Sequence, residues 1–127
     1  MKRVVLAIRN RLVLEAVTNA LKRAGFFVEK SSSQEPERIL TLTNALAATT
    51  LVMDVTRSGD GTFDMRMNTA REARRRNPEI KIALLCDNVS DESSAYKVKC
   101  AKEEGAIDAF FYESVPSDYL ADALDAL

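Results

Sequence analysis

The chain has 127 residues, enough for one domain spanning residues 1–127 to bury a core without disulfide or metal staples. Hydrophobic residues at 46%, charged residues at 29% and a formal net charge of −1 exclude a disordered chain and give no global attraction to nucleic acid. No apolar run approaches the ~20 residues of a membrane span, and the absence of histidine rules out Ser-His-Asp, Cys-His and His-metal chemistry within the chain.

Met1-Lys2-Arg3 leads into the apolar run Val4-Val5-Leu6-Ala7-Ile8, which is too short for a secretory signal core and predicts a first strand in a cytoplasmic protein. The spacing then turns helical, with Val13, Ala16, Val17, Ala20, Leu21 and Ala24 on one side, and Gly25 is placed to end the helix in a left-handed conformation. Phe26-Phe27-Val28 predicts a short second strand. Ser31-Ser32-Ser33 ahead of Pro36 marks a helix start, and Ile39, Leu42 and Leu46 continue that helix.

Thr49-Thr50-Leu51-Val52-Met53 reads as a buried third strand ending at Asp54, followed by the loop Ser58-Gly59-Asp60-Gly61. A third helix over about 64–76 offers Phe63, Met67, Ala70 and Ala73 as its buried stripe and stops at Asn77-Pro78. Ile80, Ile82, Ala83, Leu84 and Leu85 form a fourth strand. Ser90 can cap a helix carrying Ala95, Val98 and Ala101, which Gly105 closes. Ala109-Phe110-Phe111-Tyr112 is a fifth strand, and Pro116 opens a last helix with Leu120, Ala123, Leu124 and Leu127 on one side.

Strands that alternate with helices predict an α/β fold of three layers, α/β/α, because parallel strands need crossover helices that cover both sheet faces. Five such units favour a five-stranded parallel sheet of order 2-1-3-4-5 with five helices. That order gathers Arg9, Asn10 and Asp54 at one rim, with Cys86 and Tyr112 at the ends of the neighbouring strands. Open sheets of this kind place their chemistry at that rim.

Along its whole length the chain resembles the receiver domain of bacterial response regulators. The residues that carry the likeness are Leu51-Val52-Met53-Asp54, Asp60-Gly61, Pro78-Glu79-Ile80-Lys81-Ile82 and Gly105-Ala106. The resemblance implies that Asp54 is the candidate phosphoacceptor, taking a phosphoryl group from a histidine kinase with help from Mg²⁺. A carboxylate nucleophile attacking an anionic phosphoryl group needs such a cation, and Mg²⁺ needs hard oxygen ligands. Receivers supply an acidic pair after the first strand, where this chain has Arg9-Asn10, so Asp54 and the Thr56 carbonyl are the remaining candidate metal ligands.

Receivers also end the fourth strand in Thr or Ser and the fifth in Lys, where this chain has Cys86 and Tyr112, with Glu113 in the place of a proline. A thiol is a weak donor, and a Tyr hydroxyl carries no charge, so the ionic part of a phosphoryl clamp is lost. Arg9 can neutralise Asp54 directly, and an Arg9–Asp54 ion pair would occupy the carboxylate oxygens and mimic one fixed state of a switch. The reading this favours is an atypical, non-enzymatic receiver that acts through protein–protein interaction. A conventional Mg²⁺-dependent receiver is the alternative, and a small flavodoxin-like enzyme or nucleotide binder, lacking a Gly-rich phosphate fingerprint, is the reading from another class.

The resemblance places a partner surface on the fourth helix, fifth strand and fifth helix, with Tyr96, Lys97 and Lys99 as contact residues. The partners it implies are a histidine kinase or an output domain, or a second copy in a homodimer, with no membrane and no direct nucleic acid binding. Receivers use an aromatic near the end of the fifth strand as a rotamer switch, and Ala109 beside Phe110 stands at that position. Arg71, Arg74, Arg75 and Arg76 read as a solvated face that complements the helix dipole, Asp60-Gly61 as a turn, and Cys86 and Cys100 as reduced, packed thiols.

Overall fold

A computed structural model describes residues 2–87 and 89–127. Among them the chain runs β1 (Arg3–Ala7), α1 (Arg11–Arg23), β2 (Phe27–Lys30), α2 (Pro36–Leu46), β3 (Thr50–Asp54), a single 3-10 turn (Gly59–Gly61), α3 (Phe63–Arg76), β4 (Lys81–Cys86), α4 (Glu92–Glu103), β5 (Ala109–Tyr112) and α5 (Ser117–Asp125). The sheet order is β2-β1-β3-β4-β5, every pair parallel, as the alternation of elements predicts.

Pleating divides the strand residues between two apolar layers. Val5, Ala7, Leu51, Met53, Ile82, Leu84 and Cys86 point to the layer completed by α2, α3 and α4. Val4, Leu6, Val52, Ala83 and Leu85 point to the opposite layer, completed by α1 and α5. β3 is buried over its whole length because strands lie on both sides of it and helices on both faces. Gly25 and Gly105 take φ of +92° and +79° after α1 and α4, the left-handed conformation that lets each helix end sharply.

The cap of α4 and the basic face of α3 differ from expectation, whereas α2 opens at Pro36 as expected. Asp91, not Ser90, caps α4 by accepting from Ser94 N–H, while Ser90 donates to Asp87 in the preceding turn. α2 starts at Pro36 after Glu35, whose side chain makes no cap; Ser33 Oγ instead accepts from Glu35 N–H at 3.0 Å. The basic end of α3 is also not uniformly solvated. Arg74 donates to the Ala106 carbonyl at 3.0 Å and pairs with Asp108, which accepts from Ile82 N–H at 2.8 Å, so this guanidinium latches α3 to the turn before β5. Arg71 and Arg75 remain exposed. No helix among the described residues is long and apolar enough to cross a membrane.

Candidate functional site

Asp54 closes β3 at the carboxyl rim of the sheet and is 1% exposed. A carboxylate so deeply buried requires a hydrogen-bond partner for each oxygen and a nearby positive charge. Oδ2 accepts from the backbone N–H of Arg9 at 2.8 Å. Oδ1 accepts from Nη2 of Arg66 at 3.0 Å, and the Arg66 side chain is fully buried. The ion pair at Asp54 therefore comes from α3, while Arg9 contributes only its main chain and leaves an exposed residue at the rim.

Thr62 caps α3 by accepting from Met65 N–H, and this fixes the phase of the helix. Arg66 then falls one turn ahead of Ala70 and two ahead of Ala73, on the same buried stripe as Met67. Its Nε donates to the Asp54 carbonyl at 2.8 Å, and Nη2 also donates to the Ala7 carbonyl at 3.2 Å and to Gln34 Oε1 at 2.5 Å. One side chain thus joins the end of β1, the end of β3 and the segment before α2. Nη1 has no hydrogen-bond partner among the described residues. Burial pulls the Arg66 pKa below its ordinary value while Asp54 pushes it back, and an arginine keeps its proton under such opposing influences.

Beside Asp54 lies an open cleft of about 350 Å³. Its lining mixes signs: Arg9 and Arg57 on one side, Asp87, Asp91 and Glu113 on the other. Asn10 borders it, but its side-chain oxygen accepts from Leu12 and Val13 N–H at 3.0 and 3.2 Å as the cap of α1. Thr56 is half-buried; its hydroxyl donates to the Ser58 carbonyl at 3.0 Å and its N–H to the Gly61 carbonyl at 2.7 Å, closing the expected turn. Burial, then Asp54 and Asp87, raises the pKa of the Glu113 carboxyl.

Cys86 and Tyr112 end β4 and β5 as expected and pair in register, but neither lines the cleft. Cys86 turns into the core, its thiol directed at the Phe111 carbonyl at 3.8 Å, and burial pushes its pKa up to about 11. Tyr112 packs edge-to-face on Phe110, ring centroids 5.7 Å apart. Strand pleat explains both: Asp54 pairs in register with Leu85, Cys86 points to the opposite face, and the residues that reach the cleft are Asp87, two positions after Leu85, and Glu113, one after Tyr112. On α4, Tyr96, Lys97 and Lys99 are exposed, Tyr96 to 69%.

The donor set does not fit Mg²⁺. Each Asp54 oxygen already accepts a hydrogen bond, one of them from the buried Arg66 guanidinium, Asn10 is committed to its helix, and the cations Arg9 and Arg57 share the lining with its acids. No group of three or more Cys, Asp or Glu residues among the described residues is placed to hold a metal.

No protein-family model and no curated protein sequence matches the chain. Solved structures match its fold over nearly all its length. A response regulator from Thermotoga maritima superposes with a TM-score of 0.76 at 20% identity, covering 99% of this chain and 96% of that one. The Thermotoga maritima response regulator protein TrrA, solved in complex with Mg²⁺-BeF, gives 0.74 at 19% identity over 99% and 98% of the two chains. An orphan response regulator of H. pylori gives 0.72 at 16% identity over 98% and 94%. The chain therefore has the fold of receiver domains.

Proposed function

We propose that the chain is an atypical receiver-like module of a two-component pathway that transmits signals by docking a protein partner, with Asp54 no longer serving as a phosphoryl acceptor. The observation that carries this reading is the occupation of both Asp54 oxygens, one by a buried guanidinium and one by the Arg9 N–H. A nucleophile must reach phosphorus through an accessible lone pair, and this carboxylate is 1% exposed with each oxygen already accepting one hydrogen bond. The similarity of fold to an orphan response regulator is in keeping with it.

The partner surface is the exposed strip on α4, with Tyr96 as its aromatic anchor and Lys97 and Lys99 beside it. An exposed tyrosine offers large contact area at small entropic cost, and flanking lysines favour an acidic partner, such as an output domain, a kinase or a second copy. Incubation with acetyl phosphate and Mg²⁺ followed by intact-mass measurement tests the reading. The expected spectrum shows unmodified protein. A stoichiometric phosphoryl adduct that Asp54→Asn abolishes would restore the conventional phosphoacceptor role.

A further inference from the structure

A carboxylate withdrawn as far from water as Asp54 must be neutralised by something. An isolated buried charge is strongly unfavourable, so a compensating cation belongs to the folded state. We infer that Arg66 is a built-in counter-cation, standing in for a dissociable metal ion beside Asp54, and that it holds the Asp54 rim in one fixed arrangement. This deepens the docking reading and rests on it.

Two observations carry the inference, and a consequence follows from them. Arg66 is fully buried and its Nη2 is 3.0 Å from Asp54 Oδ1, so the charge is placed for Asp54 and shielded from bulk water. Its remaining bonds to the Asp54 carbonyl, the Ala7 carbonyl and Gln34 fix the guanidinium from three segments, which a mobile surface arginine would not show. Finally, a cation attached covalently to α3 has an occupancy that no chelator, ion concentration or phosphoryl donor can alter. The rim carboxylate is neutralised at all times, and the arrangement of β1, β3 and the segment before α2 is set by the chain itself. Arg66 acts here as a positioning residue.

Restoring the missing acids separates Arg66 from the other obstacle to a metal. In the graft Arg9→Asp/Asn10→Asp, the carboxylate introduced in place of the Asn10 amide can still cap α1, and the Arg9 position is exposed, so the fold tolerates both changes. The graft with Arg66 intact is expected to show no Mg²⁺ binding by calorimetry up to millimolar ion. Adding Arg66→Met should produce binding at least ten-fold tighter than the graft alone, together with a rise in melting temperature on addition of MgCl₂. Equal binding by the two variants, with circular dichroism showing both folded, would overturn the inference.

A measurement on the unaltered protein guards against a triple variant that does not fold. The Arg66 Nε–H resonance should exchange with water at least ten-fold more slowly than those of Arg9 and Arg57, and should not move with 10 mM MgCl₂ or EDTA. Exchange at the rate of the surface arginines would likewise overturn it. A phosphoryl adduct on the wild-type protein would instead sink the docking reading, so the two failures are distinguishable.

Discussion

Arg66 Nη2 lies 3.0 Å from Asp54 Oδ1, with the two side chains 0% and 2% exposed. A charge pair at that depth behaves as one unit, since removing either member strands the other in a low-dielectric interior. The carboxylate is accordingly withdrawn from water although the cleft beside it is open.

Arg66→Met should destabilise the fold by about 3–5 kcal/mol, the range for breaking a buried pair from one side. Arg66→Met/Asp54→Asn should be less destabilised than the sum of the single variants, with a coupling of more than about 1 kcal/mol in urea denaturation. Additive effects would mean that the two groups do not share a charge interaction.

Asn10 serves the helix and not the cleft. Asn10→Ala should cost about 1 kcal/mol by chemical denaturation, because Leu12 and Val13 N–H lose their acceptor. Asn10→Asp should retain the cap and add a favourable interaction with the helix dipole. A neutral alanine substitution would show that the cap is dispensable.

Hydrogen bonds from Arg75, then from Arg76, lower the Glu72 pKa from its ordinary 4.5 to about 2. A depressed folded-state value means that the carboxylate contributes stability above the unfolded pKa and loses it as pH falls through about 4.5 toward 2. The group is exposed, so the effect is small and weakened by salt. The stability difference between wild type and Glu72→Gln should therefore be present at pH 7 and absent near pH 2, and a carboxyl NMR titration should place the midpoint well below that of an ordinary glutamate. A midpoint near 4.5 would contradict the ion network.

Thiol reactivity should separate the two cysteines. With its pKa pushed up to about 11 by burial, Cys86 holds almost no thiolate at pH 8 and is sterically closed. Native protein should release one equivalent of chromophore from a disulfide reagent, from Cys100, and denatured protein two. Two fast equivalents in the native state would place Cys86 at the surface.

The sequence alone was enough to predict the order of elements and of strands: runs such as Val4–Ile8 and Thr49–Met53 have strand length, and the intervening stripes have helical spacing. Parallel strands joined by helices leave few ways to arrange five units. Asp54 was legible for the same reason, as a lone carboxylate ending a strand that reads as buried. Arg66 was not, although its spacing from Ala70 and Ala73 put it on the buried face of α3. Hydropathy assigns arginine to solvent, and only the approach of that face to the ends of β1 and β3 supplies the carboxylate and carbonyls that make its burial possible. The same holds for Cys86 and Tyr112, whose strand ends were foreseen but whose directions depend on a register that neighbouring strands impose. Local pattern thus determined which segments form the rim, because apolar periodicity is written in consecutive residues. Which groups neutralise it was decided by contacts across 12 to 59 positions of chain, which exist only once the layers have packed.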